Sequence, residues 1–320
     1  MDRPGAVAGL RTTLAGFAAT WLADAPLWCV ALSGGPDSLA LTAAAAATLP
    51  TTALIVDHGL QPDSDLVAAA AAEQARALGC VRAEVLRVQV GHAGGPEAAA
   101  RTARYRALDG ARQGAPVLLG HTLDDQAETV LMGLGRGSGA RSIAGMRPSD
   151  PPWYRPLLGH RRALTRAACA ELGLTAWDDP HNSDPRFTRV RLRTEVLPLL
   201  EQVLGGGVAE ALARTASALR EDTDALDVLA ADELPAARAG DDLDATAVQG
   251  LPAALRRRVI RAWLLAGGAS GLTDPQIKAV DAVVVAWRGQ GPVAVSSDLP
   301  YTRLVVHRRG ALLTLRREPV

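Results

Sequence analysis

The sequence is short of aromatics, lysine and cysteine, and each shortage closes off some chemistry. Six Trp, three Tyr and two Phe in 320 residues leave Ala, Val and Leu to fill the interior. That suits a helix-rich α/β protein better than an aromatic-rich sandwich or barrel. Lys278 is the single lysine, so no Walker-type or Schiff-base lysine exists elsewhere, and arginine carries nearly all the positive charge. Cys29, Cys80 and Cys169 are the three cysteines, far apart and with no Cys-x-x-Cys pair. They argue against a zinc ribbon, an iron–sulfur cluster held through such a pair, or a disulfide framework, and they fit a reducing compartment. Net charge is absent too: Lys plus Arg and Asp plus Glu each number 34. A globally basic nucleic-acid binder is thereby excluded, while a local basic surface is not.

Long apolar runs are also scarce. Arg3, Arg11 and Asp24 interrupt every signal-like stretch near the N-terminus. Residues 39–56 carry no charge for eighteen positions, which is about the lower limit for spanning a bilayer. Pro50 divides the stretch and Thr42, Thr48, Thr51 and Thr52 dilute it, so a helix followed by a strand accounts for it better. The expectation is a soluble, cytoplasmic protein with no membrane partner.

The apolar content, 48% against 21% charged, is enough for a sizeable core, and the length allows one large or two ordinary domains. In the first half, apolar runs at 27–32, 52–56, 81–90 and 116–119 alternate with Ala-rich segments at 38–48, 63–78, 96–112 and 124–134. Strand then helix, repeated, predicts an α/β fold with a doubly wound parallel sheet, in which ligands sit beyond the carboxyl ends of the strands. Residues 147–195 hold nine arginines against six acids, and Gly205-Gly206-Gly207 then breaks the chain. We expect a catalytic domain at 1–200 and a smaller, mainly helical domain at 201–320. Helices are expected at 208–235 and 252–288, with one or two short strands at 293–317 turning at Arg309-Gly310.

The strongest local signal is Ser33-Gly34-Gly35-Pro36-Asp37-Ser38, between the first strand and the first helix. Its glycines let backbone N–H groups approach a phosphate, and the helix N-terminus adds partial positive charge. Asp37 can hold a magnesium ion bridging phosphates. The bland alternative is a Gly-Gly-Pro turn with a helix cap. His121-Thr122-Leu123-Asp124-Asp125-Gln126-Ala127-Glu128 comes after the fourth strand. On a helix Asp124 and Glu128 share a face, with Asp125 three residues from Glu128. The bland alternative there is an acid-rich helix start favoured by the dipole.

The first hexapeptide resembles the PP-loop of the ATP pyrophosphatase superfamily. Asp57-His58-Gly59-Leu60, the helix from Pro96 through Arg101 and Arg104 to Tyr105, the His121 block, Arg136-Gly137-Ser138-Gly139, Arg155-Pro156-Leu157-Leu158, Trp177-Asp178-Asp179-Pro180-His181-Asn182-Ser183-Asp184, Arg189 and Arg193 come after it in order. Together, over about 28–200, they resemble the tRNA(Ile)-lysidine synthetase family. Asp57 departs from the pattern, which often has a second histidine there, and Val190 stands where the family commonly has asparagine.

The resemblance implies a Rossmann-like PP-loop domain that activates the C2 oxygen of the wobble cytidine of a CAU anticodon with ATP. L-lysine then displaces AMP to form lysidine. Ser33, Gly34, Gly35, Pro36, Asp37 and Ser38 are expected to bind ATP, with Asp37 and Asp125 on Mg2+. Asp37, Arg101, His121, Asp125 and Glu128 are the expected catalytic residues, with Arg101 open between ATP and tRNA. Asp124, Glu128, Asn182, Arg189 and Arg193 are expected at the lysine and tRNA substrates, and a homodimer is an admissible assembly. The resemblance implies that the 201–320 domain binds the tRNA substrate, and Arg256, Arg257, Arg258 and Arg261 form a second candidate for tRNA contact, set against a plain helix surface. The competing readings are another PP-loop enzyme, such as a tRNA thiolase or amide-forming synthetase, and an ATP-sensing module without turnover.

Overall fold

The apolar runs of the first half pair as parallel strands, and those at 28–31, 51–57 and 117–119 are mostly buried, as such sheets require. In the computed structural model, which describes residues 5–61, 63–91, 95–137, 139–297 and 301–319, the first elements are α1 (Ala6–Trp21), β1 (Trp28–Ala31), α2 (Pro36–Ala46), β2 (Thr51–Asp57), α3 (Ser64–Ala77), β3 (Arg82–Arg87), α4 (Pro96–Ala111) and β4 (Val117–Leu119). Then come α5 (Leu123–Arg136), α6 (Ala140–Ile143), β5 (Ser149–Asp150), β6 (Trp153–Tyr154) and α7 (Arg162–Glu171). A 3-10 turn (Pro180–Ser183) leads into α8 (Thr188–Arg191), a π-helical turn (Leu192–Val196) and α9 (Leu197–Leu204). The sheet order is β3-β2-β1-β4-β6-β5, parallel except for the β5–β6 pair.

The uncharged stretch 39–56 is indeed a helix and a strand. The alanines make α2 slender enough to be buried on nearly every side from Ser38 to Ala45. Trp28, 1% exposed, donates its indole N–H to Thr51 Oγ1 at 2.7 Å and so fastens β1 beside β2. Several elements of this part were not foreseen in the sequence: α1, which buries Leu10 and Leu14 in the core, the β5–β6 hairpin of two-residue strands, and the helices α6, α7, α8 and α9.

Contacts divide the chain into two units, Met1–Leu131 with Gly145–Arg214, and Met132–Ala144 with Thr215–Val320. The second unit includes most of α10 (Val208–Ala237), then β7 (Arg238–Ala239), β8 (Asp242–Asp244), α11 (Ala245–Gln249), α12 (Ala253–Ala266), α13 (Asp274–Val285), β9 (Val293–Val295), β10 (Thr302–Arg309) and β11 (Leu312–Pro319). The expected helix at 252–288 is broken by the turn after Gly267. The unit is also less purely helical than its sequence suggested, because β7-β8-β11-β10-β9 form a five-stranded antiparallel sheet. Trp263, Ile260, Val280 and Val306 centre its own core. Among the described residues, no single helix is long and apolar enough to cross a membrane.

Candidate active site

The chain leaves β1 toward β2 on one side, while β4 lies on the other, so the loops after β1 and β4 part and open a crevice. The loop after β1 is Ser33–Ser38, and the loop after β4 leads through His121 into α5. Gly120 sets their separation: a Cβ there would sit 3.1 Å from the backbone of Asp37 and Ser38.

Hydroxyls shape the first loop. Ser38 Oγ donates to Gly35 O at 3.0 Å and accepts from the Ser33 N–H at 3.2 Å. Gly34 has φ +82°, the left-handed region that favours glycine, and its carbonyl accepts from the Trp177 N–H at 2.9 Å. Trp177 thus ties the Trp177–Asp184 block to the phosphate-type loop. Pro36 starts α2 at a position where its missing N–H costs nothing.

Three of the expected acids converge on one guanidinium. Arg162, in the first turn of α7, donates from Nε to Asp37 Oδ2 at 3.0 Å and from Nη2 to Asp125 Oδ1 at 2.5 Å, with Nη1 3.8 Å from Glu128 Oε1. Glu128 is fully buried and is gripped from a second side by Arg193, whose Nε and Nη2 lie 2.7 and 3.2 Å from its two oxygens. Arg189 Nη1 stands 3.8 Å from Glu128 Oε2. Glu128, Arg189 and Arg193 are therefore together. Asp124 faces another way: its Oδ2 accepts the Arg162 backbone N–H at 2.7 Å, capping α7, and its Oδ1 accepts from Arg161 Nε at 3.2 Å.

These pairings set the protonation states. Burial raises the Asp37 carboxyl, helped by the neighbouring Asp125 charge and opposed by Thr165 and Arg162. For Asp125 burial pulls upward, but Arg162 and the Thr122 N–H outweigh it and hold the carboxyl below its ordinary value. Thr122 serves Asp125 Oδ2 from both N–H and hydroxyl at 2.8 Å. Burial pushes the His121 imidazole down to about 3, with Arg155, Arg104 and Arg101 adding to the effect against Asp125. Its Nδ1 is buried without a hydrogen-bond partner among the described residues. A neutral imidazole of this kind can donate or accept a hydrogen bond, but it is a weak base.

Other expected residues stand apart from the carboxylates. Arg101 is exposed, with its guanidinium 4.8 Å over the Tyr105 ring and a 3.3 Å bond to the Tyr105 hydroxyl. Tyr105 in turn meets Trp153 edge-on at 4.7 Å. Asn182 is exposed on the 3-10 turn and makes none of the described contacts to the carboxylates. Asp57 caps its own loop, accepting from Gly59 N–H at 3.0 Å and Ser64 Oγ at 2.8 Å. Sequence reasoning missed the special place of Arg162 and the part of Thr165, whose hydroxyl bonds Asp37. The available signal was Arg161-Arg162 soon after the apolar Pro-Leu-Leu stretch, which marks a helix start facing the sheet rather than one more surface arginine.

A phosphate-type loop, a crevice at the switch point and clustered acids define a PP-loop ATP-using enzyme, and the PP-loop domain family matches residues 11–200. The TilS substrate binding domain matches residues 243–313. The chain is 70% identical over 320 residues to the tRNA(Ile)-lysidine synthase of Mycolicibacterium paratuberculosis, covering 100% of both chains. It is 69% identical over 324 residues to that of Mycobacterium tuberculosis strain H37Rv, again covering 100% of each. The chain belongs to the tRNA(Ile)-lysidine synthase family. Among solved structures, the U34-tRNA thiolase NcsA from Methanococcus maripaludis shares the fold at TM-score 0.52 and 18% identity, covering 68% of this chain and 80% of that one.

Proposed function

We propose that this ligase joins L-lysine to C2 of the wobble cytidine in the CAU anticodon of tRNA(Ile), shifting its reading from AUG to AUA. The C2 oxygen attacks the α-phosphorus of ATP and the bond to the β-phosphate breaks, releasing pyrophosphate. The lysine ε-amine then attacks C2, AMP leaves with the oxygen, and the amine proton passes to a nearby base. The observation that carries the reading is the convergence of Asp37, Asp125 and Glu128 on Arg162 beside the Ser33–Ser38 loop.

In this reading Ser33, Gly34, Gly35, Pro36 and Ser38 cradle the ATP phosphates. Asp37 and Asp125 would hold Mg2+, which neutralises phosphate charge when bound. Among the described residues no group of three or more His, Cys, Asp or Glu forms a metal cage. Two carboxylates beside a phosphate loop nevertheless fit magnesium, which commonly takes one or two carboxylates plus substrate phosphates. His121, neutral and with a free Nδ1, would hydrogen-bond the nucleotide or the wobble base. Asp124 and Glu128 are the acids proposed for the lysine ammonium. Arginines already saturate both, so an ammonium must displace a guanidinium. Arg101, Asn182, Arg189 and Arg193 are proposed to meet tRNA or ATP phosphates, and the cytoplasm, where these substrates meet, is the proposed location.

The test is incorporation of labelled lysine into purified tRNA(Ile) with a CAU anticodon, with and without ATP, using methionine tRNA as control. ATP-dependent labelling of the isoleucine tRNA alone is expected. Pyrophosphate release without labelling would assign the site to another nucleophile or acceptor. Asp37→Ala is expected to abolish pyrophosphate release; normal release would remove Asp37 from the nucleotide.

A further inference from the structure

The plain account of Arg162 is an ion pair that fixes α7 to the sheet loops, but α7 is fastened there without its guanidinium. Thr165, fully buried, bonds Asp37 through its hydroxyl. Cys169 Sγ lies 3.3 Å from the Pro36 carbonyl oxygen, and Ala168 is fully buried in the core. The Arg162 backbone N–H is held separately, by Asp124. Its side chain, 13% exposed, can therefore move without releasing the helix.

The four oxygens of Asp37 and Asp125 are of two kinds. Asp37 Oδ1 accepts the Thr165 hydroxyl, and Asp125 Oδ2 accepts the Thr122 N–H and hydroxyl at 2.8 Å each. These neutral donors aim the two carboxylates. The remaining pair, Asp37 Oδ2 and Asp125 Oδ1, meets a single cation, Arg162, at 3.0 and 2.5 Å. The next guanidinium, Arg193, stands 3.7 Å from Asp125 Oδ1. A magnesium ion taking one oxygen from each acid needs the two oxygens that Arg162 holds. A metal and a guanidinium do not share them, because like charges so close repel strongly. The Ser33–Ser38 loop, to which Asp37 itself belongs, sets the alternative partner within reach. Paired phosphate oxygens match a guanidinium fork as well as carboxylates do.

We infer that Arg162 is a resident counter-cation: it keeps Asp37 and Asp125 together in the metal's place, excludes free metal ions, and passes to the phosphates when magnesium enters with ATP. The inference rests on the proposed magnesium–ATP site and adds an order of loading to it. Metal binds well only in company with the phosphates that draw the arginine away.

The test titrates Mn2+ into the full chain, without lysine or tRNA, and follows free metal by electron paramagnetic resonance. Each titration is run without nucleotide and with an ATP analogue carrying a methylene bridge between the α and β phosphates. Wild type is expected to bind Mn2+ weakly alone and at least about tenfold more tightly with the analogue. Arg162→Met should bind Mn2+ alone at least about tenfold more tightly than wild type, while its affinity for the analogue falls. Arg162→Lys, which keeps the charge but not the fork, should lie between them. Arg166→Met, exposed one turn further along α7, is the control and should match wild type. A merely structural arginine predicts the opposite sign, since a disordered pair of acids binds metal less well. Unchanged or weaker Mn2+ binding by nucleotide-free Arg162→Met would therefore overturn the inference. Should that variant not fold, wild type decides: Mn2+ bound as tightly without the analogue as with it, or not bound at all, would overturn it too. Wild type that shows the expected Mn2+ behaviour yet labels no tRNA with lysine would instead strike the proposed reaction and leave the role of Arg162 standing.

Discussion

Two buried ion clusters of different make-up lie in the two units. In the first, Arg162 reaches three carboxylates, Arg193 and Arg189 also meet Glu128, and beside them His121 Nδ1 has no hydrogen-bond partner among the described residues. In the second, one carboxylate serves two guanidiniums: Asp281 binds Arg256 Nε at 2.5 Å and Arg257 Nε at 2.8 Å. There Arg256 spends a further N–H on the Leu251 carbonyl at 2.6 Å, and both Arg256 and Asp281 are buried. The second cluster is saturated and closed, so it braces α12 against α13. The first sets three acids against three arginines, but it has an orphan nitrogen beside them and lies next to the Ser33–Ser38 loop. Burial of charge alone does not mark a site; unfilled hydrogen-bonding capacity beside it does. The same contrast answers the sequence expectation for Arg256: it is held inside, not offered to RNA.

Breaking the closed cluster should have the largest effect on stability. Asp281→Ala leaves two guanidiniums without their acid, one of them buried, and is expected to cost about 3–5 kcal/mol in urea unfolding. A loss below about 1 kcal/mol would mean that the pair is replaceable surface chemistry. Arg162→Met should act differently. Lysine transfer is expected to fall at least about a hundredfold through misplaced Asp37 and Asp125, and millimolar magnesium should restore part of the lost melting temperature by replacing the counter-charge. Equal loss with and without magnesium would make Arg162 as purely structural as Arg256.

Gly120→Ala tests the spacing of the two loops rather than their charge. A Cβ 3.1 Å from the Asp37 and Ser38 backbone forces a shift that we expect to cost about 1–3 kcal/mol, with a raised Michaelis constant for ATP. Wild-type ATP dependence in a folded variant would show that the gap has slack.

The smallest effect is expected at His160, whose side chain bonds Thr13 Oγ1 at 3.0 Å rather than any member of the carboxylate cluster. Burial holds its imidazole below the ordinary 6.5. The unfolded chain therefore binds more protons below pH 6.5, and stability is lost as pH falls from 6.5 toward the depressed folded value. His160→Gln should flatten that slope in acid-side unfolding curves; an unchanged slope would assign it to other groups.

Much of this was legible in the sequence. The β1-to-α5 alternation and the two loops were readable because parallel strands are continuous apolar runs and because glycine, proline and acids punctuate their ends. α1 was not, since its sequence 6–21 has a weak amphipathic pattern with only Leu10 and Leu14 fully covered. Arg162 was hidden among nine arginines in 147–195, for only the fold decides which of them meets Asp37, 125 residues away along the chain. In the second unit the tail strands and their turn at Arg309-Gly310 were legible, and they form β10 and β11; the rest of the antiparallel sheet escaped because β7 and β8 are two and three residues long, too short for a period-2 pattern.

The π-helical turn at Leu192–Val196 carries a consequence for chain length. A π turn holds one residue more than an α turn over the same rise, so this segment behaves as an α-helix that has absorbed an insertion. Arg189 and Arg193 flank or enter that turn, and both reach Glu128. Removing a single residue there would let the helix rewind to regular pitch and rotate its N-terminal part by about 100° relative to α9. Arg189 and Arg193 would then no longer converge on one carboxylate. In this stretch the number of residues is itself a constraint, as binding as their chemistry.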